Sequence, residues 1–219
     1  MAISKVQSDA HGHSVPGDWT TVAVNWVSTP TAGNFLIAIG RGIEGTISNA
    51  SISGYTLATS AICGTNGAVG IWYKIADGTE ESATLVWTSA TSSIGLSIEE
   101  WTPFNAAPLD KTAFTNNTGG TTSRSSGTTD STTVDDELCI ATIGWGGDVS
   151  GLAWTNSYAT EYSYLTTGYR YAYSSLVVSS TGAQETTASW TTSRVNGCCI
   201  ATFKGAVVST WIPKVIMVM

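Results

Sequence analysis

Two stretches, Ile94-Gly-Leu-Ser-Ile-Glu-Glu-Trp101 and Val195-Asn-Gly-Cys-Cys-Ile-Ala-Thr-Phe203, decide the fold that the sequence predicts. Each stretch follows a Trp-Thr pair, at Trp87 and at Trp190, and each has a glycine six positions before its closing aromatic residue. Both have the length and composition of a strand. We therefore expect two strands of the same kind, far apart in a chain that contains an internal duplication.

The same repetition appears earlier in each half of the chain. The apolar run Asn34-Phe-Leu-Ile-Ala-Ile-Gly40 is echoed by Glu137-Leu-Cys-Ile-Ala-Thr-Ile-Gly144. Continuous apolar runs of this length are typical of central strands that are buried on both faces. The two copies are placed at about 18–104 and 118–206. A half of four or five strands cannot cover its own apolar face, so the two halves are expected to face each other.

The predicted fold class is all-β, with little or no helix. Residues 18–27 alternate between polar and apolar side chains, as in a half-buried strand, and no segment combines a 3.6-residue period with helix caps. Turn residues separate about ten predicted strands at spacings typical of β-sandwiches. We expect residues 18–206 to form a single, jelly-roll-like β-sandwich built from two internally duplicated halves.

Two polar segments flank or interrupt this domain. Residues 1–17 are polar and contain glycine and proline, and we expect an extended N-terminal arm. The connector 115–133 is almost wholly Thr, Ser, Asn and Gly. Its composition is that of a flexible linker, but the duplication favours a polar edge strand within it.

The composition excludes several classes of function. Of the 219 residues 42% are hydrophobic and only 11% are charged, and the net charge is −7. Such a surface of hydroxyl and amide groups is typical of extracellular and virion β-proteins. The absence of basic runs argues against nucleic acid and anionic membranes as partners. Residues 1–18 lack the apolar run of a signal peptide, so we expect synthesis in a host cytoplasm.

The C-terminal arm, residues 207–219, is the most apolar segment of the chain. Leaving its large side chains in water would cost on the order of 1.5–3 kcal/mol each. Either it packs on its own domain as an edge strand or it adds to a neighbouring subunit. It is too short, and interrupted by Lys214, to insert in a membrane. The predicted partner-binding residues are Val207, Val208, Trp211, Ile212, Val215, Ile216, Met217 and Val218.

A cluster of tyrosines has binding character. Tyr169, Tyr171 and Tyr173 alternate along one predicted strand and therefore share one face. Such a stripe can stack on sugar rings of a surface glycan, or it can form sandwich core, a cross-strand ladder or a subunit interface. The sequence leaves these alternatives open.

No catalytic or metal-binding pattern emerges from the sequence. His11 and His13 are the only histidines and lie far from any core strand. Adjacent carboxylates such as Glu99 and Glu100 point to opposite faces of a strand, so one of each such pair is expected in solvent. Cys139 and one of the adjacent cysteines 198 and 199 are expected as buried apolar residues. We expect no enzyme activity, no cofactor and no metal.

Several motifs resemble a duplicated jelly-roll-like β-sandwich found in phage virion proteins and in bacterial and archaeal secreted proteins. They lie in the range 18–206, and they are Phe35–Ile39, Trp72–Gly78, Ile98–Thr102, Ala107–Asp110 and Ile200–Lys204. The resemblance carries across no active-site residues. Together with the apolar arm it favours a structural subunit of a virion, a capsid decoration (cement) protein or a tail or fibre component. Its partners would be sister subunits and other virion proteins. The alternative is a lectin-like domain for attachment to a host surface.

Overall fold

The structure is a computed structural model that describes residues 2–43, 47–116, 119–166, 168 and 170–206. Within these ranges the chain forms β-strands and a single 3₁₀ turn, Ile47–Asn49, which confirms the predicted all-β class. The strands are β1 Ser4–Asn25, β2 Phe35–Gly42, β3 Ala50–Ile52, β4 Thr56–Ile62, β5 Ala68–Ile75, β6 Ser82–Thr102, β7 Phe104–Asn116, β8 Thr121–Ser125, β9 Asp136–Trp145, β10 Ala153–Trp154, β11 Ala159–Tyr164, β12 Tyr171–Ser179, β13 Thr187–Arg194 and β14 Asn196–Gly205.

The strands form two large antiparallel sheets and one small sheet. The first sheet has the order β1-β6-β2-β5-β4, and β3 pairs with the first part of β6. The second sheet, read from its edge at β7, has the order β7-β14-β9-β12-β11. The small sheet has the order β10-β13-β8. The central strands β2 and β9 are the two continuous apolar runs, and nearly all of their residues are buried.

The two large sheets place corresponding strands in corresponding positions. Phe35 of β2 lies opposite Trp101 of β6, and Leu138 of β9 lies opposite Phe203 of β14. The strand order, taken in chain order within each half, is also the same in both sheets. This arrangement is what an internal duplication would produce, and the duplication itself stays a prediction.

The main core lies between the two large sheets. Its centre is an aromatic group in which the Phe35 ring lies 4.4 Å from the Phe104 ring and 4.8 Å from the Phe203 ring. Both sheets contribute to this core, and its fully buried members include Ile37, Ile39, Val69, Ile71, Leu138, Ile140, Tyr171, Cys199 and Ala201. The halves therefore bury their facing surfaces against each other, as expected of a sandwich.

Each half also has a core of its own, which the sequence analysis did not predict. In the first half Leu36, Ala38 and Trp72 pack with Leu85 and Trp87 from the start of β6. In the second half an equivalent outer cluster contains Ile143, Trp145, Ala172, Ala188, Trp190 and Cys198. Because β6 is 21 residues long, its first part returns over the outer face of the sheet to which its last part belongs.

The segment expected as an N-terminal arm is instead part of β1. Residues 4–14 pair with the last part of β6, from Ser4 opposite Thr102 to Ser14 opposite Ser93. The segment is polar because β1 is the edge strand of its sheet.

In the connector, Thr121–Ser125 forms β8 and pairs with β13. This is the edge-strand alternative of the sequence prediction. All four cysteines are buried and free, whereas the sequence predicted burial only for Cys139 and one of the adjacent pair 198 and 199.

Both ends of the described chain lie side by side. Ser4 is opposite Thr102, and the amide of Ala206 donates to the Pro103 carbonyl oxygen at 3.2 Å. A Cβ on Gly205 would lie 3.0 Å from Cδ1 of Ile3. The chain therefore enters and leaves the sandwich at the place where it crosses from β6 to β7.

Candidate functional site

The sandwich has two lateral openings, one where β1 faces β11 and one where β4 faces β7. The polar opening is a groove of about 280 Å³ lined by Ser8, Asp9, Ala10, Glu161, Tyr162 and Tyr173. The apolar groove has a volume of about 380 Å³ and is lined by Ile47, Ala58, Thr59, Ser60, Ile62, Thr112, Phe114 and Asn116. These openings and the polar groups buried beside them are the candidates for a functional site.

The floor of the polar opening is a charged network that joins the two sheets. The Lys5 ammonium lies 2.7 Å from Oε1 of Glu99 and also contacts the Glu161 carboxylate. Glu99 accepts further hydrogen bonds from Trp101 Nε1 at 2.8 Å and from the Tyr173 hydroxyl at 3.0 Å. Burial raises the pKa of the Glu99 carboxyl, and the adjacent ammonium opposes that rise. With its oxygens bonded to three donors, Glu99 serves to hold β1 and β12 against β6.

Glu100, the neighbour of Glu99, is buried as well, so the expectation that one member of this pair lies in solvent was wrong. Its carboxylate accepts hydrogen bonds from the backbone amide of Thr31 at 2.8 Å and from the side chains of Asn34 and Gln7. The reason for the error is that both faces of β6 are covered here: Tyr173 of the second sheet bonds to Glu99 on one face, and Thr31 and Asn34 bond to Glu100 on the other. Both carboxylates are structural, and neither faces the other across an open cleft.

Arg41 is a fully buried cation that bonds to backbone carbonyls of both halves. Its guanidinium donates to the carbonyl oxygens of Gly42 and Asn66, each at 2.6 Å, of Ala68 at 3.2 Å and of Trp145 at 3.0 Å. Among the described residues no carboxylate forms an ion pair with it. Burial lowers the pKa of the guanidinium. No local sequence pattern indicates a role for this residue, because its partners are up to 104 positions away.

Glu137 is a buried carboxyl whose two oxygens make no hydrogen bond of normal geometry among the described residues, although the Thr202 side chain and the Val134 backbone lie close to it. It lies near Asp110, which accepts hydrogen bonds from the amide and hydroxyl of Thr133 at 2.6 and 2.8 Å. Burial, with a contribution from the Asp110 charge, raises the pKa of Glu137 to about 7. A protonated Glu137 can donate to Asp110, which gives the buried pair one shared proton.

The raised pKa of Glu137 predicts a pH-dependent stability. The folded chain keeps this proton up to about pH 7, whereas the unfolded chain releases it near the ordinary value of 4.5. The group therefore makes the free energy of unfolding fall as the pH rises from about 4.5 to 7, by on the order of 1–3 kcal/mol. Glu137→Gln should remove this fall and stabilise the protein at pH 8 relative to the unchanged chain, with little effect at pH 5.

Urea denaturation at pH 5 and pH 8 measures this difference directly. Glu81→Gln, at an exposed position, is the matched control and should leave the pH profile unchanged. An equal effect of Glu137→Gln at both pH values would show that Glu137 does not carry the proton.

Two residues of the tyrosine stripe do not lie on the surface. Tyr171 and Tyr173 are 0% and 2% exposed and lie in the main core, where their hydroxyls bond to Ser97 at 2.6 Å and to Glu99 at 3.0 Å. For these two residues the interpretation as a glycan-binding or subunit-interface surface is therefore corrected to the core alternative. Tyr169 lies outside the described residues.

Exposed apolar side chains lie at the edge of the apolar groove. Phe114 on β7 is 56% exposed, and Ile62 at the end of β4 is 36% exposed. The groove carries no charged side chain in its lining. A hydrogen bond of 2.7 Å from the Ile62 amide to Oδ1 of Asn116 joins the two edge strands at its end. Its polar hydroxyls and apolar side chains suit an uncharged extended segment.

The predicted partner-binding residues of the C-terminal arm lie outside the described residues, which end at Ala206. Ala206, the last described residue before the arm, donates its amide to the carbonyl oxygen of Pro103. A shallow groove of about 420 Å³ lies at that point and is lined by Thr133, Val134, Asp135, Asp136, Thr181, Gly205 and Ala206.

In the part of the chain that is described, no three His, Cys, Asp or Glu side chains gather in a way that could hold a metal ion. His11 lies on β1, and the side chain of His13 is outside the described set. No helix among the described residues is long and apolar enough to cross a bilayer.

Comparison with known proteins gives no relative. No protein-family model, no curated protein and no solved structure matches this chain. The fold defines the protein as an antiparallel β-sandwich.

Proposed function

We propose that this chain is a non-enzymatic structural subunit of a virus particle, either a phage capsid decoration (cement) protein or a tail or fibre component. The observation that carries the proposal is the apolar arm 207–219, which follows directly on the completed strand β14. An arm of this composition is stable only when it is covered. A neighbouring subunit of a large assembly supplies such a cover and gains interface area from it.

The body of the protein supports the same proposal. Its buried charges Glu99, Glu100 and Arg41 are used in bonds that hold strands together. A surface rich in Ser, Thr and Asn with few charges is little affected by salt and pH, which suits the outside of a particle. Such a molecule acts through its shape and its contacts with sister subunits and other virion proteins.

The second candidate, a lectin-like domain, loses the observation on which it rested. Two of the three tyrosines that would have stacked on a glycan are enclosed between the sheets.

Removal of residues 207–219 tests the proposal. The truncation leaves β14 whole, because this strand ends at Gly205. We expect the full chain to form oligomers, or to be recovered in purified virus particles when it is produced during infection, and the truncated chain to remain monomeric and absent from particles. Light scattering after gel filtration and mass spectrometry of purified particles measure the two effects. Unchanged assembly of the truncated chain would contradict the proposal.

A further inference from the structure

The apolar groove between β4 and β7 has the features of a site that binds an extended segment. Its two walls are the edge strands of different sheets. The connector approaches the β7 backbone at Phe114, where a Cβ on Gly127 would lie 3.3 Å from the amide nitrogen, so the open surface is that of the groove side chains and of the β4 edge. Phe114 and Ile62 expose apolar surface at its mouth. Edge strands that leave apolar side chains exposed are favourable places for the addition of an extended segment.

The chemistry of the groove matches that of the C-terminal arm. The groove lining is uncharged, and the arm has one charged side chain, Lys214, in thirteen residues. Val207, Val208, Trp211 and Ile212 provide apolar side chains of the size that an open groove can take. The polar opening is a poor alternative, since the ion pair between Lys5 and Glu161 spans it.

We propose that the apolar groove of one copy of this chain receives segment 207–219 of a second copy. The inference rests on the proposed function, in which the arm binds a neighbouring subunit, and it names the surface on which the arm binds. The two copies would lie antiparallel, side by side, and exchange their arms.

The position of the arm's first residue favours a second copy over the chain's own groove. Gly205 pairs with Phe104 at one end of β7, whereas Phe114 pairs with Cys199 near the other end. These positions are six residues apart along β14, which is about 20 Å. An arm of thirteen residues spans at most about 43–47 Å, so docking in its own groove would use nearly half of the arm to run back along the body.

With an antiparallel neighbour, no part of the arm has to run back along its own body. The neighbour's groove lies at the end of its body that is next to the point where the arm leaves the first copy, so the whole arm is available for contact. The same geometry then applies to the second arm, and the pair closes on itself as an isologous dimer. Both exposed grooves and both arms are covered in one assembly.

A complementation experiment tests the inference with two variants that carry separate defects. The first variant lacks residues 207–219 and keeps its groove. The second carries Phe114→Asp, which places a charge in the groove and keeps the arm. We expect each variant alone to dissociate at least tenfold more readily than the unchanged chain, by roughly the effect of losing a central apolar contact. An equimolar mixture should form a one-to-one complex, because one intact arm and one intact groove are then present.

Val27→Asp is the matched control, since Val27 is 73% exposed in a loop away from the groove, and it should associate like the unchanged chain. Circular dichroism and thermal unfolding establish that each variant is folded. Analytical ultracentrifugation measures the association.

The other possible outcomes contradict either the inference alone or the proposed function as well. A mixture without a complex shows that the arm does not bind the groove of a second copy, and the inference fails. Self-association that survives Phe114→Asp but not truncation moves the arm to another surface, so that the proposed function stands and the inference fails. Self-association that survives truncation overturns both, and an unchanged chain that is monomeric at every concentration overturns the dimer inferred here.

Discussion

Replacing Phe35 with Ala is expected to lower the free energy of unfolding by about 3–5 kcal/mol, the usual cost of removing a phenyl ring from a packed core. The ring is fully buried and makes its closest aromatic contacts, with Phe104 and Phe203, across the interface of the two sheets. No neighbouring side chain can fill the resulting cavity without leaving a cavity of its own, because both sheets are held by their strand pairing.

Val27→Ala is the control for this prediction, because an apolar side chain is removed from a position that is 73% exposed and away from the groove. Its effect on the free energy of unfolding should stay below about 1 kcal/mol. Urea denaturation followed by tryptophan fluorescence and by circular dichroism measures both variants. A loss below about 1 kcal/mol for Phe35→Ala would mean that the two sheets do not share a core at this point.

Replacing Arg41 with Ala is expected to cost on the order of 3 kcal/mol or more, and to do so by loosening the contact between the halves. The substitution removes four hydrogen bonds to carbonyl oxygens, among them the one to Trp145 in the second half. The carbonyls left behind are buried without donors. Gly144 adjoins the guanidinium so closely that a Cβ there would lie 2.8 Å from Nε of Arg41, so the surroundings are shaped to this side chain.

Arg170→Ala serves as the control, since Arg170 pairs with the partly exposed Asp148 and such pairs contribute about 0–1 kcal/mol. Arg41→Lys should recover little of the lost stability. The three donors of an ammonium share one nitrogen, which cannot reach all the carbonyl oxygens that the planar guanidinium contacts. Thermal and urea unfolding of the three variants measure the effects. Equal stability of the Arg41 and Arg170 variants would refute a role for Arg41 in joining the halves.

The strands of the core were predictable from the sequence because their signal is local. The apolar runs of β2 and β9 and the alternation of the last part of β1 follow from side chains that lie next to one another in the chain. The two stretches on which the fold prediction was based, 94–101 and 195–203, lie in the last part of β6 and in β14. These are the strands that pair with β2 and β9. Gly197 in the second stretch has a structural reason as well, since a Cβ there would lie 2.5 Å from the Ile62 carbonyl oxygen.

The features that sequence reasoning missed depend on contacts between distant positions. Lys5 and Glu161 are 156 positions apart, and Glu99 and Tyr173 are 74 apart. No local pattern shows that a polar lead-in pairs with β6, or that a stripe of tyrosines faces inward. In the same way, the outer core of each half depends on the return of β6 over its own sheet, which is a property of the fold.

The described part of the chain begins and ends beside Pro103, so the molecule has a base there and an opposite pole at the loops around Gly67 and Gly146. In the exchanged dimer proposed above, the opposite pole of each copy lies beside the base of the other. A peptide inserted in one of those two loops would therefore weaken the association of the copies. Because a Cβ on Gly205 would lie 3.0 Å from Cδ1 of Ile3, a short linker could join the two ends of a chain truncated after Ala206.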